Sequence, residues 1–124
     1  TSMYNVTCRT WNDIFINEGF ASYSEYLALQ QFDPTNADPT MLQVHTSVMS
    51  QPTGSVYNPD TTSINRIFSS RLSYDKGSAI VHSLRFVIND DNTFFTVLKT
   101  FQNQFRNSNA SINDFKNSAD ILNV

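Results

Sequence analysis

Glu18, Glu25 and Tyr74 are the residues of this 124-residue chain that could do chemistry, and only two histidines, His45 and His82, accompany them. Glu18 lies in the run Asn17-Glu18-Gly19-Phe20-Ala21. A lone glutamate at a helix start is favoured by the helix field, with Asn17 as the expected cap. It is also the kind of carboxylate that joins two histidines around a catalytic zinc with one position left for water. Glu25 follows seven residues later, two turns along the same face and about 10 Å away, so the two cannot bind one ion. Glu25 either orients a histidine ligand through that ring's second nitrogen or is a solvated surface carboxylate.

His45 and His82 fall on different predicted helices and read as packing or surface residues. The chain has no His-Glu-x-x-His, the pattern that sets two imidazoles and a general base on one helical face. Without it, neither a metal nor an activated water has a home. Tyr74 belongs to Ser73-Tyr74-Asp75-Lys76-Gly77, at an expected helix start where free N–H groups raise the local potential. Its hydroxyl can donate to a developing oxyanion there. The other reading is an amphipathic tyrosine with its ring packed and its hydroxyl wet. Asp75 and Lys76 read as an ordinary charged first turn.

Helices must position these groups. Apolar spacing predicts a first helix over 17–31, ended by Phe32-Asp33-Pro34, because proline cannot continue the ladder. Gly19 weakens that helix, and its place beside Glu18 suggests close backbone approach. Asp38-Pro39 looks like a fresh start for a second helix over 39–50. The Pro- and Gly-bearing stretch 52–63 reads as a loop. From Ser73 three apolar faces follow: Ala79, Ile80, Leu84, Val87 and Ile88; then Phe94, Val97, Leu98, Phe101 and Phe105; then Ile112, Phe115 and Ala119. Ser111 with Asp114 resembles a capping box. Strand alternation and internal repeats are lacking, so the expected fold is all-α, in one unit spanning 1–124 and packed around the Phe94/Phe101/Phe105 seam.

Composition narrows the function. Apolar residues make up 40 % and charged residues 15 %, too apolar for general disorder, while no stretch is long enough to span a membrane. The net charge of −3 with eight dispersed basic residues argues against nucleic-acid binding, which needs clustered Lys and Arg. Cys8, the single cysteine, excludes an internal disulfide and a Cys-rich zinc cluster. Asn5-Val6-Thr7 and Asn109-Ala110-Ser111 match the glycosylation pattern, as chance allows in so Asn- and Ser-rich a chain.

The segment Val6-Thr7-Cys8, the run Trp11-Asn12-Asp13, the Asn17–Ala21 pentad through Tyr26-Leu27, and Ser73–Gly77 together resemble the zinc aminopeptidases of the aminopeptidase N and leukotriene A4 hydrolase type, the gluzincins. Phe15 and Ile16 stand where that family usually has Trp and Leu. The resemblance implies that Glu18 is the third zinc ligand and that Tyr74 stabilises the tetrahedral intermediate during attack by zinc-bound water on a peptide. It implies a helical subdomain of a thermolysin-like catalytic domain, the C-terminal part only, without the upstream sheet and zinc-binding helix. Counting the family's ligand spacing back from Glu18 places the second histidine just before Thr1, which favours a truncated enzyme. The chain alone is then expected to be inactive and to hold no zinc. It is also expected to expose apolar surface where the rest of the polypeptide packs, with self-association as one way to cover it. The alternative is a naturally inactive, metal-free peptidase-like interaction module.

Overall fold

Helices carry most of the chain in the computed structural model, which describes residues 6–120. The order is β1 (Val6–Cys8), a 3-10 turn (Trp11–Asp13), α1 (Phe15–Phe32), α2 (Pro34–Met49), a short α3 (Ile64–Ile67), a π-helical segment (Ser70–Lys76), α4 (Gly77–Ile88), α5 (Asp91–Gln104), β2 (Ser108–Ala110) and α6 (Ile112–Asp120). No helix among these residues is long and apolar enough to cross a membrane.

α1 is the central element because its apolar positions recur at helical spacing and bury one face. Phe15, Ile16, Phe20, Tyr23 and Tyr26 point inward, against Val81 of α4, Phe94, Val97, Leu98 and Phe101 of α5, and Phe115 of α6. The Phe20, Phe101 and Phe115 rings meet at centroid distances of 5.1–6.0 Å, edge-on where Phe115 is involved, the arrangement the ring quadrupole prefers. Burying each such side chain contributes about 1.5–3 kcal/mol. The expected α5 seam is therefore the core, although Phe105 lies at its half-buried margin.

A two-stranded parallel pair is the feature the sequence does not announce. Val6 pairs with Ser108 and Cys8 with Ala110, joining opposite ends of the described chain. Strands of three residues are too short to show alternation, and their pairing is set by where the helices leave the two segments. Arg9 reinforces the join through its N–H to the Ala110 carbonyl at 2.9 Å and an ion pair with Asp114 at 2.8 Å. The capping box forms: the Asp114 carboxylate accepts from the Ser111 N–H at 2.8 Å, and the Ser111 hydroxyl accepts from the Asp114 N–H at 3.3 Å. Asn109 is exposed on β2; Asn5 lies outside the described residues.

Three local expectations are corrected. α2 begins at Pro34, with Pro39 inside it; proline at the first helical position starts the helix at once, so Asp38 caps nothing. The α4 face is rotated: Val81 is buried, whereas Ile80 is 41 % and Val87 77 % exposed. Gly77 sets that rotation by lying against α1, which carries Val81 and Arg85, four and eight residues on, towards the same side. Asn17 is no cap. α1 starts two residues before it, at Phe15, and the Asn17 side chain instead accepts from the Cys8 N–H at 2.7 Å, tying β1 to the helix.

Candidate functional site

Glu18 sits in the first turn of α1, half-buried, and its N–H donates to the Ile14 carbonyl at 3.1 Å. The segment before it is fastened from two sides. Asn17 holds β1, and the Asn12 amide donates to the Asn58 carbonyl at 2.7 Å. Asn58, wholly buried, returns a bond from its own side chain to the Trp11 carbonyl at 3.3 Å.

Tyr74 approaches from the π-helical segment. That segment starts at Ser70, capped by the Ser69 hydroxyl accepting from the Leu72 N–H at 3.3 Å. Tyr74 is therefore past the first turn rather than at a helix start, and the expected field of free N–H groups does not act on it. A wider turn carries it instead, a deviation frequent at functional positions. Its neighbours anchor that turn. Asp75 accepts from the Ser47 hydroxyl of α2 at 2.5 Å, and Lys76 donates to the Gly54 carbonyl at 2.5 Å. Both are more than an ordinary charged turn, and neither partner could be assigned from spacing. Arg71 and Arg66 hold the same loop through the carbonyls of Thr53 at 2.9 Å and Ser55 at 2.6 Å.

The fold brings Glu18 and Tyr74 together. Burial pushes the Tyr74 phenol above its ordinary pKa; the facing Glu18 carboxylate adds to this by charge and then by a hydrogen-bonding contact. The phenol is thus kept protonated at neutral pH, able to donate. Cys8 borders the same edge. Burial raises its thiol pKa most, its backbone hydrogen bond opposes this, and Asp13 and Glu18 raise it further. Glu25 does not join the edge: it is exposed on α1, and no ion pair or hydrogen bond engages it among the described residues.

The histidines form a separate cluster further along α1. His82 packs edge-on against Tyr26, with centroids 5.1 Å apart, and beside His45 at 6.0 Å. Its Nδ1 lies 3.4 Å from the Tyr23 hydroxyl. Among the described residues no group of three or more His, Cys, Asp and Glu side chains could hold a metal ion. The Glu18–Tyr74 edge supplies one carboxylate and one phenol, a donor set that does not fit a zinc centre by itself.

Comparison with known proteins adds the decisive observation: the model of the peptidase family M1 domain matches residues 4–122. This chain belongs to peptidase family M1. Relatives within 30–32 % identity include aminopeptidase Q of Felis catus, 32 % identical over 120 residues, and aminopeptidase Ey of Gallus gallus, 31 % over 120 residues; each alignment covers 88 % of the chain. Aminopeptidase N of Lactococcus lactis subsp. lactis is 30 % identical over 116 residues, 83 % of the chain. The M1 chain spans only 12–13 % of the length of these relatives. Its largely helical architecture matches a helical subdomain of the thermolysin-like fold, without a zinc-binding element among the described residues.

Proposed function

We propose that this chain is part of the catalytic domain of a zinc-dependent aminopeptidase that removes N-terminal residues from peptides. It would form the helical portion following the histidine-bearing helix. Glu18 would contribute one carboxylate ligand, and the remaining ligands and the general base would come from residues outside this chain. Zinc, when bound in such a centre, polarises the scissile carbonyl and activates water. Tyr74 would donate its hydroxyl hydrogen to the oxygen on which negative charge develops. Glu25 is exposed and free to orient a ligand contributed from outside.

The observation that carries the reading is the apposition of the Glu18 carboxylate and the Tyr74 phenol, in a chain matched to family M1 over most of its length. Peptide is then the substrate of the whole protein, and the chain alone is inactive and metal-free. Exposed apolar side chains on α1, α2 and α4, including Phe32, Met49 and Phe86, are 80–84 % accessible. They would be covered by the rest of the polypeptide or, in the isolated chain, by self-association.

The test is an aminopeptidase assay with metal analysis on the full-length protein, on its Glu18→Gln variant and on this chain alone. The full-length protein should carry zinc and release N-terminal residues. Glu18→Gln should lose most of the zinc, and the isolated chain should show neither. A full-length protein with no zinc and no activity would favour the metal-free interaction module. Zinc-dependent activity in the isolated chain would overturn the division of ligands.

A further inference from the structure

Two glycines stand where α1 meets the π-helical segment and α4. A Cβ on Gly19 would lie 2.7 Å from both Cα and C of Gly77, and a Cβ on Gly77 would lie 2.8 Å from the Gly19 Cα. No carbon pair rests at such distances, and the atoms met are backbone, with no rotamer to turn away. Left-handed backbone is not the reason for either glycine. Gly77 has φ −58° and ψ −49°, ordinary right-handed helix, and Gly19 lies inside α1 without a positive φ. In these positions each weakens its helix relative to alanine. What the pair provides is approach of the two backbones closer than any side chain permits.

That approach occurs beside both groups of the candidate site. Glu18 immediately precedes Gly19. Tyr74 lies three residues before Gly77, and the Gly77 N–H donates to the Tyr74 carbonyl. The turn bearing Tyr74 is also held from behind by Ser47 of α2 through Asp75 and by Gly54 through Lys76, so its position is tied to elements other than α1. We propose that the Gly19–Gly77 backbone contact is the positioning device that sets the spacing between the Glu18 carboxylate and the Tyr74 hydroxyl. An added methyl must move the helices apart on the order of 1 Å to regain ordinary carbon contact. Displacements of that size at a reacting centre cost about a hundredfold in rate. The significance for catalysis rests on the proposed function; the positioning itself does not.

The experiment measures proximity directly. In the isotope-labelled chain, NMR cross-relaxation between the Glu18 γ-protons and the Tyr74 ring protons should be present. It should fall several-fold in Gly19→Ala and Gly77→Ala. Val81→Ala, which weakens the same α1–α4 seam without touching the glycines, should retain it. In the full-length protein Gly77→Ala should lower kcat by about a hundredfold with KM little changed. Undiminished cross-relaxation in either folded glycine variant overturns the proposal, as does an equal loss in Val81→Ala. If both glycine variants unfold, the contact is a requirement of folding, and the positioning claim also fails. Lost cross-relaxation with kcat intact would leave the positioning standing and remove the catalytic reading of Glu18 and Tyr74.

Discussion

The two ends of the α1–α4 seam solve different problems with similar materials. At the far end, Arg85 of α4 reaches Asp91 at 2.6 and 2.7 Å, Gln30 at 2.7 Å and Tyr23 at 3.4 Å. It also lies over the Phe94 and Phe95 rings, 5.9 and 5.3 Å from their centroids. Asp91 pushes the guanidinium pKa further up and is itself held below the ordinary carboxylate value by Arg85. Polar groups there are paired with one another, so their contribution is to stability. At the near end the contact is glycine on glycine, and the half-buried Glu18 carboxylate beside it faces the half-buried Tyr74 phenol. Completed networks hold helices together, whereas incompletely paired groups held by rigid backbone are available to act on something else.

Four changes break or sharpen this contrast, beginning with the largest effect. Tyr74→Phe in the full-length protein should lower kcat by about 10²–10³-fold, the usual loss for one oxyanion donor, with little change in KM. Steady-state kinetics on zinc-loaded protein checks it, and an unchanged kcat would place Tyr74 among the merely packed residues. Arg85→Met should behave oppositely. It should cost about 2 kcal/mol of folding stability, since it strips the charged hydrogen bonds of a largely buried guanidinium, one of them to the buried Tyr23, while Gln30 and Asp91 are exposed and stay solvated. Urea denaturation should show the loss, and kcat of the folded full-length variant should stay near wild type.

A smaller effect belongs to pH. Burial lowers the His82 pKa below 6.5; His45 and Arg85 add to this, and Asp38 partly opposes it. Tyr23, Tyr26 and His45 face the ring. The folded chain therefore binds this proton more weakly than the unfolded chain. His82 leaves stability untouched above pH 6.5 and reduces it as pH falls from there to the lower folded value. Denaturation on either side of that range should show the slope, and His82→Gln should flatten it. The smallest effect is expected for Glu18→Gln in this chain, within about 0.5 kcal/mol, because Glu18 is only half-buried and takes part in no ion pair among the described residues. A large loss of stability would move Glu18 into the same class as Arg85.

Sequence spacing was enough to mark α1, the α5 aromatic face and the Ser111–Asp114 cap, because helical periodicity and capping are local and repeat within a few residues. The types of Glu18 and Tyr74, and the glycine beside each, were also plain in the chain. Tertiary structure alone decided that these two glycines touch and that Asp75 and Lys76 anchor to Ser47 and Gly54. It likewise decided that Asn58 staples the 52–63 loop to Trp11 and Asn12, and that β1 pairs with β2 across the whole described chain. Each joins residues tens of positions apart, through backbone that carries no sequence signal or through a side chain of ordinary type, in a chain where Asn and Ser are abundant enough to hide the few that matter. The rotation of α4 has the same origin. Its periodicity admits several inward faces, and the one realised follows from how closely Gly77 comes to lie against α1.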